Sequence, residues 1–170
     1  MSMQPTSTLI ETRHPLSEAE RPLEQAVLAA IGAHFANATG SLRETYDAMT
    51  TTAIVDGIVT EAVEEDGIAG WWIRPPNAPA RRAILYIHGG AYMLGSAKAY
   101  RGLVSEIASR AGVAAFSLDY PLAPEHPFPA APDAVYAALR WMHGQGVTQA
   151  AVVGDSAGGA LALAGLGMTA

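Results

Sequence analysis

Residues 154–158, Gly-Asp-Ser-Ala-Gly, place a serine between two glycines, with an apolar run on either side. A chain that leaves a buried strand and enters a helix through so tight a turn needs small residues two positions before and after its apex, because they come close together. The apex hydroxyl then projects from the edge of the sheet, beside the free N–H groups of the helix. This pattern predicts that Ser156 is a nucleophile for acyl transfer. The alternative is a chance glycine-rich turn.

Residues 88–92, His-Gly-Gly-Ala-Tyr, form a second glycine-containing turn, directly after the apolar run 83–87. Paired glycines let a backbone approach a ligand closely and expose N–H groups to it. An enzyme that forms a tetrahedral oxyanion needs such donors. A simple Gly-Gly turn is the alternative. We predict an oxyanion hole made of the backbone N–H groups of Gly89, Gly90, Ala91 and Ala157.

The loop 120–131 contains four prolines, which stiffen it, and two adjacent titratable residues, Glu125 and His126. A catalytic dyad of these two is conceivable, but we favour a structural loop in which hydrogen bonds of Glu125 shape the site. Either His88 or His126 could be proposed as a general base. A histidine directly before a Gly-Gly turn more often supports that turn, so we expect this role for His88.

Asp155 precedes the predicted nucleophile and could be mistaken for the acid of a catalytic triad. Because a sharp turn points adjacent side chains in different directions, we predict a local structural role for it instead. Together with His88, Tyr92 and Glu125, Asp155 completes the set of residues expected to shape the site.

The elements that position these residues change character along the chain. Apolar positions at helical spacing begin near Pro22, and Ser41 with Glu44 matches the capping box of a second helix. From residue 83 onward, strand and helix alternate, which favours a parallel α/β sheet. Predicted strands are 54–63, 68–73, 83–87, 113–118 and 151–153, the first two joined by a turn at 64–67, and predicted helices are 100–110, 133–143 and one after Ser156.

The composition of the chain limits the classes of function. It has 170 residues, half of them hydrophobic, with a net charge of −6 and no cysteine. No basic stripe is present, so we expect no nucleic-acid partner. The absence of cysteine excludes disulfides and thiolate chemistry, and no metal-ligand spacing is found, so we expect no metal and no cofactor. Without a signal-peptide pattern or an apolar run long enough to span a membrane, we expect a cytoplasmic location.

The three motifs together resemble the hormone-sensitive-lipase family of α/β-hydrolase esterases, in its Gly-Asp-Ser-Ala-Gly branch. The family's loop, usually Tyr-Arg-Leu-Ala-Pro-Glu, is matched at 120–125 with Pro121 in place of arginine. The resemblance implies an α/β-hydrolase fold: a mostly parallel sheet with an antiparallel N-terminal hairpin, helices on both faces, a helical cap at 1–50 and an incomplete hydrolase domain at 51–170. It also implies Ser156 as the nucleophile, small-molecule esters of short to medium acyl chains as substrates, and a carboxylic ester hydrolase as the function.

The chain departs from this family in one respect. The triad acid and histidine follow the serine in this fold, yet the 14 residues after Ser156 contain no Asp, Glu or His. We therefore expect the N-terminal part of a longer enzyme, truncated after the nucleophile helix. The partner would be a complementing C-terminal portion or a second copy in a dimer. Two alternatives stay open: a ligand-binding protein, as in the plant gibberellin receptors of the same family, and an inactive fragment.

Overall fold

The computed structural model describes residues 12–167. In chain order the elements are α1 (Arg21–Ala36), α2 (Leu42–Thr50), β1 (Val59–Glu65), β2 (Ile68–Arg74), β3 (Arg82–Ile87), α3 (Arg101–Ala111), β4 (Ala114–Leu118), α4 (Ala130–Gly144), β5 (Gln149–Gly154) and α5 (Ala157–Gly167). They fall into two compact units, Met1–Asn37 and Ala38–Ala170. The domain boundary predicted at residue 50 stays a prediction.

The first unit contains α1, which carries a proline in its first turn, as predicted. Its predicted apolar positions are exposed: Leu23 is 68% and Val27 49% accessible, and no residue of α1 is buried. The predicted helix is therefore present, but its apolar positions are not buried among the described residues.

The second helix, α2, begins at the predicted capping box. The Ser41 hydroxyl accepts a hydrogen bond from the Glu44 N–H, and the Glu44 carboxylate accepts one from the Ser41 N–H at 2.8 Å. These two bonds satisfy donors that a helix leaves free at its N-terminus.

The sheet has the strand order β1-β2-β4-β3-β5. Strands β1 and β2 form an antiparallel hairpin, and β4, β3 and β5 run parallel. The hairpin turns at Asp66 and Gly67, both with positive φ (52° and 75°), as a tight two-residue turn requires. Its first strand starts at Val59 rather than at residue 54, because a turn closed by the Ile58 N–H and the Val55 carbonyl precedes it.

Helices cover both faces of this sheet, as predicted. Alternate residues of β3 point to opposite sides. Leu85 and Ile87 pack in a cluster that includes residues of α4 and α5, whereas Ile84 and Tyr86 pack in a second cluster with residues of α3. Within residues 12–167, β5 has a partner on one side only and is the least buried of the parallel strands.

The carboxyl ends of β3 and β5 meet at one edge of the sheet. Ile87, the last residue of β3, is the register partner of Gly154, the last residue of β5. The turn that begins at His88 and the turn that contains Ser156 therefore start from the same level of the sheet.

Candidate active site

Ser156 lies at the apex of the turn between β5 and α5. Its φ is +50°, a left-handed conformation that costs a non-glycine residue roughly 1 kcal/mol or more, and its side chain is exposed. A Cβ on Gly154 would overlap the backbone of Gly158, and one on Gly158 would overlap the carbonyl oxygen of Ile87. Both glycines are thus required by close backbone contact, which is the reason given for the motif.

The turn after β3 contains three consecutive residues with positive φ: Gly90 at 114°, Ala91 at 54° and Tyr92 at 62°. Its carbonyl at Gly90 accepts hydrogen bonds from the N–H groups of Met93 and Leu94. Among residues 12–167, no acceptor receives the N–H groups of Gly90, Ala91 or Ala157. Three donors are therefore available to a ligand beside the serine turn.

The prediction that the Gly89 N–H belongs to the oxyanion hole is wrong. Its N–H donates to Asp155 Oδ1 at 2.9 Å, so that proton is already engaged and is not a donor to an oxyanion. A Cβ at this position would overlap the Asp155 carboxylate. The first glycine is required for the close approach of the two turns, and the sequence pattern alone does not distinguish this role from that of a donor.

Asp155 connects the two turns. Its carboxylate accepts from the Gly89 N–H and from the Tyr86 hydroxyl, both at 2.9 Å, and from the Tyr100 hydroxyl at 3.3 Å. Burial raises the pKa of both tyrosines well above the ordinary range, and the hydrogen bond to Asp155 raises the pKa of Tyr86 further. The side chain thus points into the protein beneath the turn, with contacts that agree with a structural role.

His88 is buried, with 1% of its surface accessible. Its Nδ1 lies 2.7 Å from the Gly89 carbonyl oxygen, and its ring stacks on Tyr120 with ring centroids 4.4 Å apart. The Tyr120 hydroxyl donates to the His88 carbonyl. Burial lowers the pKa of the imidazole, which favours a neutral ring that supports the turn.

The proline-rich loop is held by Arg43 of α2, a residue that sequence reasoning missed. The Arg43 guanidinium donates to both carboxylate oxygens of Glu125, at 3.0 and 2.7 Å. This pair lowers the pKa of Glu125 and raises that of Arg43. Both carboxylate oxygens of Glu125 are engaged by Arg43, and among residues 12–167 no hydrogen bond joins Glu125 to His126. The two partners lie 82 positions apart, so no local pattern could have revealed the contact.

An apolar cavity of about 540 Å³ lies beside these loops. Tyr92, which lies in the turn after β3 (residues 88–93, the donor turn), and Ala160, one helical turn after Ser156, are among its lining residues. His126, Phe128, Leu161 and Ala164 also line it. Its walls are mostly apolar, which suits the hydrocarbon part of a small ligand.

No group of three or more metal-binding side chains that could hold an ion occurs among residues 12–167. Over the same part of the chain, no helix is long and apolar enough to cross a membrane.

Comparison with known proteins identifies the family. The model of the alpha/beta hydrolase fold family matches residues 84–169. An esterase of Acinetobacter venetianus is 42% identical over 100 residues, which cover 58% of this chain and 33% of that protein. An acetyl-hydrolase of Streptomyces hygroscopicus is 44% identical over 97 residues, 56% of this chain and 32% of that protein.

Among solved structures, an esterase from the bacterial hormone-sensitive lipase family has a TM-score of 0.77 and 37% identity, covering 85% of this chain and 51% of that chain. The chain belongs to the alpha/beta hydrolase fold family and is similar to members of the hormone-sensitive lipase family. The resemblance and the fold class predicted from the motifs are thus confirmed. The chain spans about a third of the length of these curated relatives and half of that of the solved structure.

Proposed function

We propose that the protein is a carboxylic ester hydrolase that acts through an acyl-serine on esters of short to medium acyl chains. One observation carries this proposal: Ser156, exposed at φ +50° at a helix N-terminus, lies in a turn in register with one whose N–H groups at Gly90 and Ala91 have no acceptor among residues 12–167. The names of the relatives, esterase and acetyl-hydrolase, support the same reaction class.

In the proposed mechanism, Ser156 Oγ attacks the ester carbonyl carbon while a histidine takes its proton. The N–H groups of Gly90, Ala91 and Ala157 stabilise the oxyanion of the tetrahedral intermediate. The histidine gives the proton to the leaving alkoxide, and the alcohol departs. Water, deprotonated by the same histidine, then attacks the acyl-serine carbonyl. The C–Oγ bond breaks as the histidine returns the proton to Ser156 Oγ, and the acid is released. In the family's chain order this histidine and its acid follow the serine, and they are not among these 170 residues.

The experiment is covalent labelling of the purified chain with a fluorophosphonate, located by peptide mass spectrometry. The labelling is run at alkaline pH with excess probe, because without a histidine base the serine must lose its proton to solvent hydroxide. The oxyanion donors still stabilise the charge that develops, so we expect one slow adduct, on Ser156. Ser156→Ala should abolish the adduct, whereas Ser109→Ala, at an exposed serine of α3, should leave it unchanged. Absence of the adduct, or labelling elsewhere, would contradict the proposal.

Turnover of the 170-residue chain is a separate prediction. Without a histidine and an acid after Ser156, hydrolysis of p-nitrophenyl butyrate should not exceed that of Ser156→Ala, since what remains is binding and oxyanion stabilisation. Multiple turnover that Ser156→Ala abolishes would show that this chain contains its own base.

A ligand-binding protein of the same fold is the second candidate, and the apolar cavity beside the two turns favours it. It predicts reversible, saturable binding of a butyrate ester that Ser156→Ala leaves intact, together with no phosphonate adduct.

The remaining predictions on organisation are parts of the same proposal. They are a helical cap at 1–50, a hydrolase domain from 51, a cytoplasmic location, a small ester as ligand, and a dimer or a complementing C-terminal portion as partner.

A further inference from the structure

Helix α2 presents three polar side chains, at helical spacing, to the loops of the site. Arg43 contacts the donor turn and the proline-rich loop. The Tyr46 hydroxyl lies 3.0 Å from the Tyr100 hydroxyl, which in turn donates to Asp155. Asp47 accepts a hydrogen bond from the Ser96 hydroxyl at 2.7 Å. Positions i, i+3 and i+4 share one helix face, so this face as a whole is docked on the site.

Arg43 makes the most contacts of the three. Its Nε donates to the Met93 carbonyl at 2.8 Å, and one Nη donates to the Ala123 carbonyl at 3.0 Å, in addition to the pair with Glu125. Both carbonyls belong to irregular backbone, which lacks the regular hydrogen bonds of a helix or a sheet, so they need other donors. One planar guanidinium thus joins α2, the donor turn and the proline-rich loop.

The donor turn needs such external support. Three consecutive residues of it have positive φ, two of them alanine and tyrosine, and strained backbone persists only where its surroundings hold it. Asp155 and Tyr120 hold the start of the turn, at Gly89 and His88. Its later part is held by the Ala123 N–H, which donates to the Tyr92 carbonyl at 2.9 Å, and by Arg43 on the Met93 carbonyl. Met93 is two residues after Ala91, so movement there reaches the proposed oxyanion donors directly.

We propose that Arg43 is a positioning residue, which keeps the N–H groups of Gly90 and Ala91 in place by binding the carbonyls of Met93 and Ala123. The proposal rests on the proposed function for the meaning of those donors. The competing account is that Arg43 and Glu125 are an exposed ion pair, with side chains 42% and 56% accessible, of the kind that contributes little.

Three variants separate the two accounts. Arg43→Ala removes every contact. Arg43→Lys keeps the charge for Glu125 but loses the fork that reaches two carbonyls at once. Glu125→Gln removes the ion pair and leaves the contacts with Met93 and Ala123. The matched control is Arg110→Ala, which breaks the exposed Arg110–Glu106 pair of α3.

The first measurement is amide hydrogen exchange of the 170-residue chain by NMR, which does not depend on Ser156. We expect Arg43→Ala and Arg43→Lys to accelerate exchange at Met93, Leu94 and Ala123 about tenfold, without change at core strand residues such as Leu85. Glu125→Gln should change it no more than about threefold, and Arg110→Ala not at all. Wild-type exchange in Arg43→Lys would overturn the proposal, as would an equal effect of Glu125→Gln and Arg43→Ala.

The second measurement is the rate of phosphonate labelling of Ser156 at several probe concentrations. A displaced oxyanion donor lowers the maximal labelling rate, by about tenfold here, since complete loss of one donor lowers rates by about 10²–10³. The probe concentration at half-maximal rate should stay the same. A change in that concentration alone would overturn the positioning role. If the wild-type serine does not react, the proposed function fails, and the exchange data still decide the role of Arg43.

Discussion

At the scale of single residues, the site depends on side chains that do not touch a substrate. Asp155 is the clearest case, because it follows β5, precedes Ser156, the proposed nucleophile, and yet binds three donors beneath the turn. A negative charge at the start of α5 is also favoured by the helix dipole. The residue is therefore part of the frame that holds the two turns together.

Asp155→Asn tests this role. An asparagine keeps one acceptor oxygen but places an N–H₂ group against a donor, so we expect a loss of about 2 kcal/mol in the free energy of unfolding, the range of a hydrogen bond to a charged group. Urea denaturation followed by circular dichroism measures it. Asp56→Asn, in an exposed loop, serves as the control with the same change of charge. A loss below about 0.5 kcal/mol would mean that the three contacts do not stabilise the fold.

Sequence reasoning at this scale succeeded where backbone geometry demands a residue type. The glycines at 154 and 158 are of this kind, because any Cβ there would overlap backbone. It was wrong for Gly89, since a pattern of glycines does not say which N–H is already engaged. It missed Arg43, because the contacts of a long side chain across 82 positions leave no periodic or local signal.

At the scale of elements, α2 has a boundary that the local sequence predicts and also makes tertiary contacts with the site. Its capping box was readable in the sequence, and the same helix presents Arg43, Tyr46 and Asp47 to the site. Nine residues is short for a helix that must be stable by itself, so its cap and its docking contacts both matter.

Ser41→Ala is expected to destabilise this unit by about 1 kcal/mol, because the Glu44 N–H loses its acceptor and the reciprocal bond is weakened. Ser41→Gly should lose only about 0.3 kcal/mol, since glycine is a tolerated N-cap residue. Chemical denaturation of both variants gives the comparison. Equal losses for alanine and glycine would argue that the capping hydrogen bond is not the cause.

Strand boundaries were predicted less well than strand identities. The first strand begins five residues later than predicted, since residues 55–58 close a turn before the hairpin. Apolar residues such as Ile54 and Ile58 are half-buried there without being in a strand. Composition alone does not distinguish a half-buried loop from a half-buried strand.

At the scale of the whole molecule, the alternation of strands and helices was sufficient to predict a parallel sheet with a hairpin. The order β1-β2-β4-β3-β5 was not, because several strand orders satisfy the same alternation and only long-range packing selects among them. The resemblance to a family supplied the fold class, whereas the strand order was not predicted.

The stability of the fold should depend on pH through His88. Burial holds the pKa of this imidazole below its ordinary value of 6.5, so in the window just below pH 6.5 the unfolded chain binds a proton that the folded chain does not. Stability is therefore complete above pH 6.5 and falls as the pH drops below it, by at most about 1.4 kcal/mol per pH unit for one proton. Asp119, whose pKa burial raises above 3.8, acts with the opposite sign at lower pH.

Urea denaturation between pH 7.5 and 5.5 tests this dependence. His88→Asn, which keeps an N–H donor, should have a lower free energy of unfolding than the wild type at both pH values. Its free energy of unfolding should not fall between pH 7.5 and pH 5.5. His143→Gln removes an exposed histidine at the end of α4 and should retain the wild-type decrease. The assignment to His88 is wrong if the decrease persists in His88→Asn.

The pairing of Ile87 with Gly154 has a consequence for how such a site can vary. The spacing between the serine and its donors is inherited from the hydrogen-bond ladder of two adjacent strands, and a slip of one residue would displace one turn against the other by about 3.3 Å. Loops and cavity walls such as Phe128 or Ala164 can change with the ligand while this spacing stays constant. The proposed chemistry thus depends on the pairing of two strands, whereas wall residues outside the two turns, such as Phe128, can change without altering that pairing.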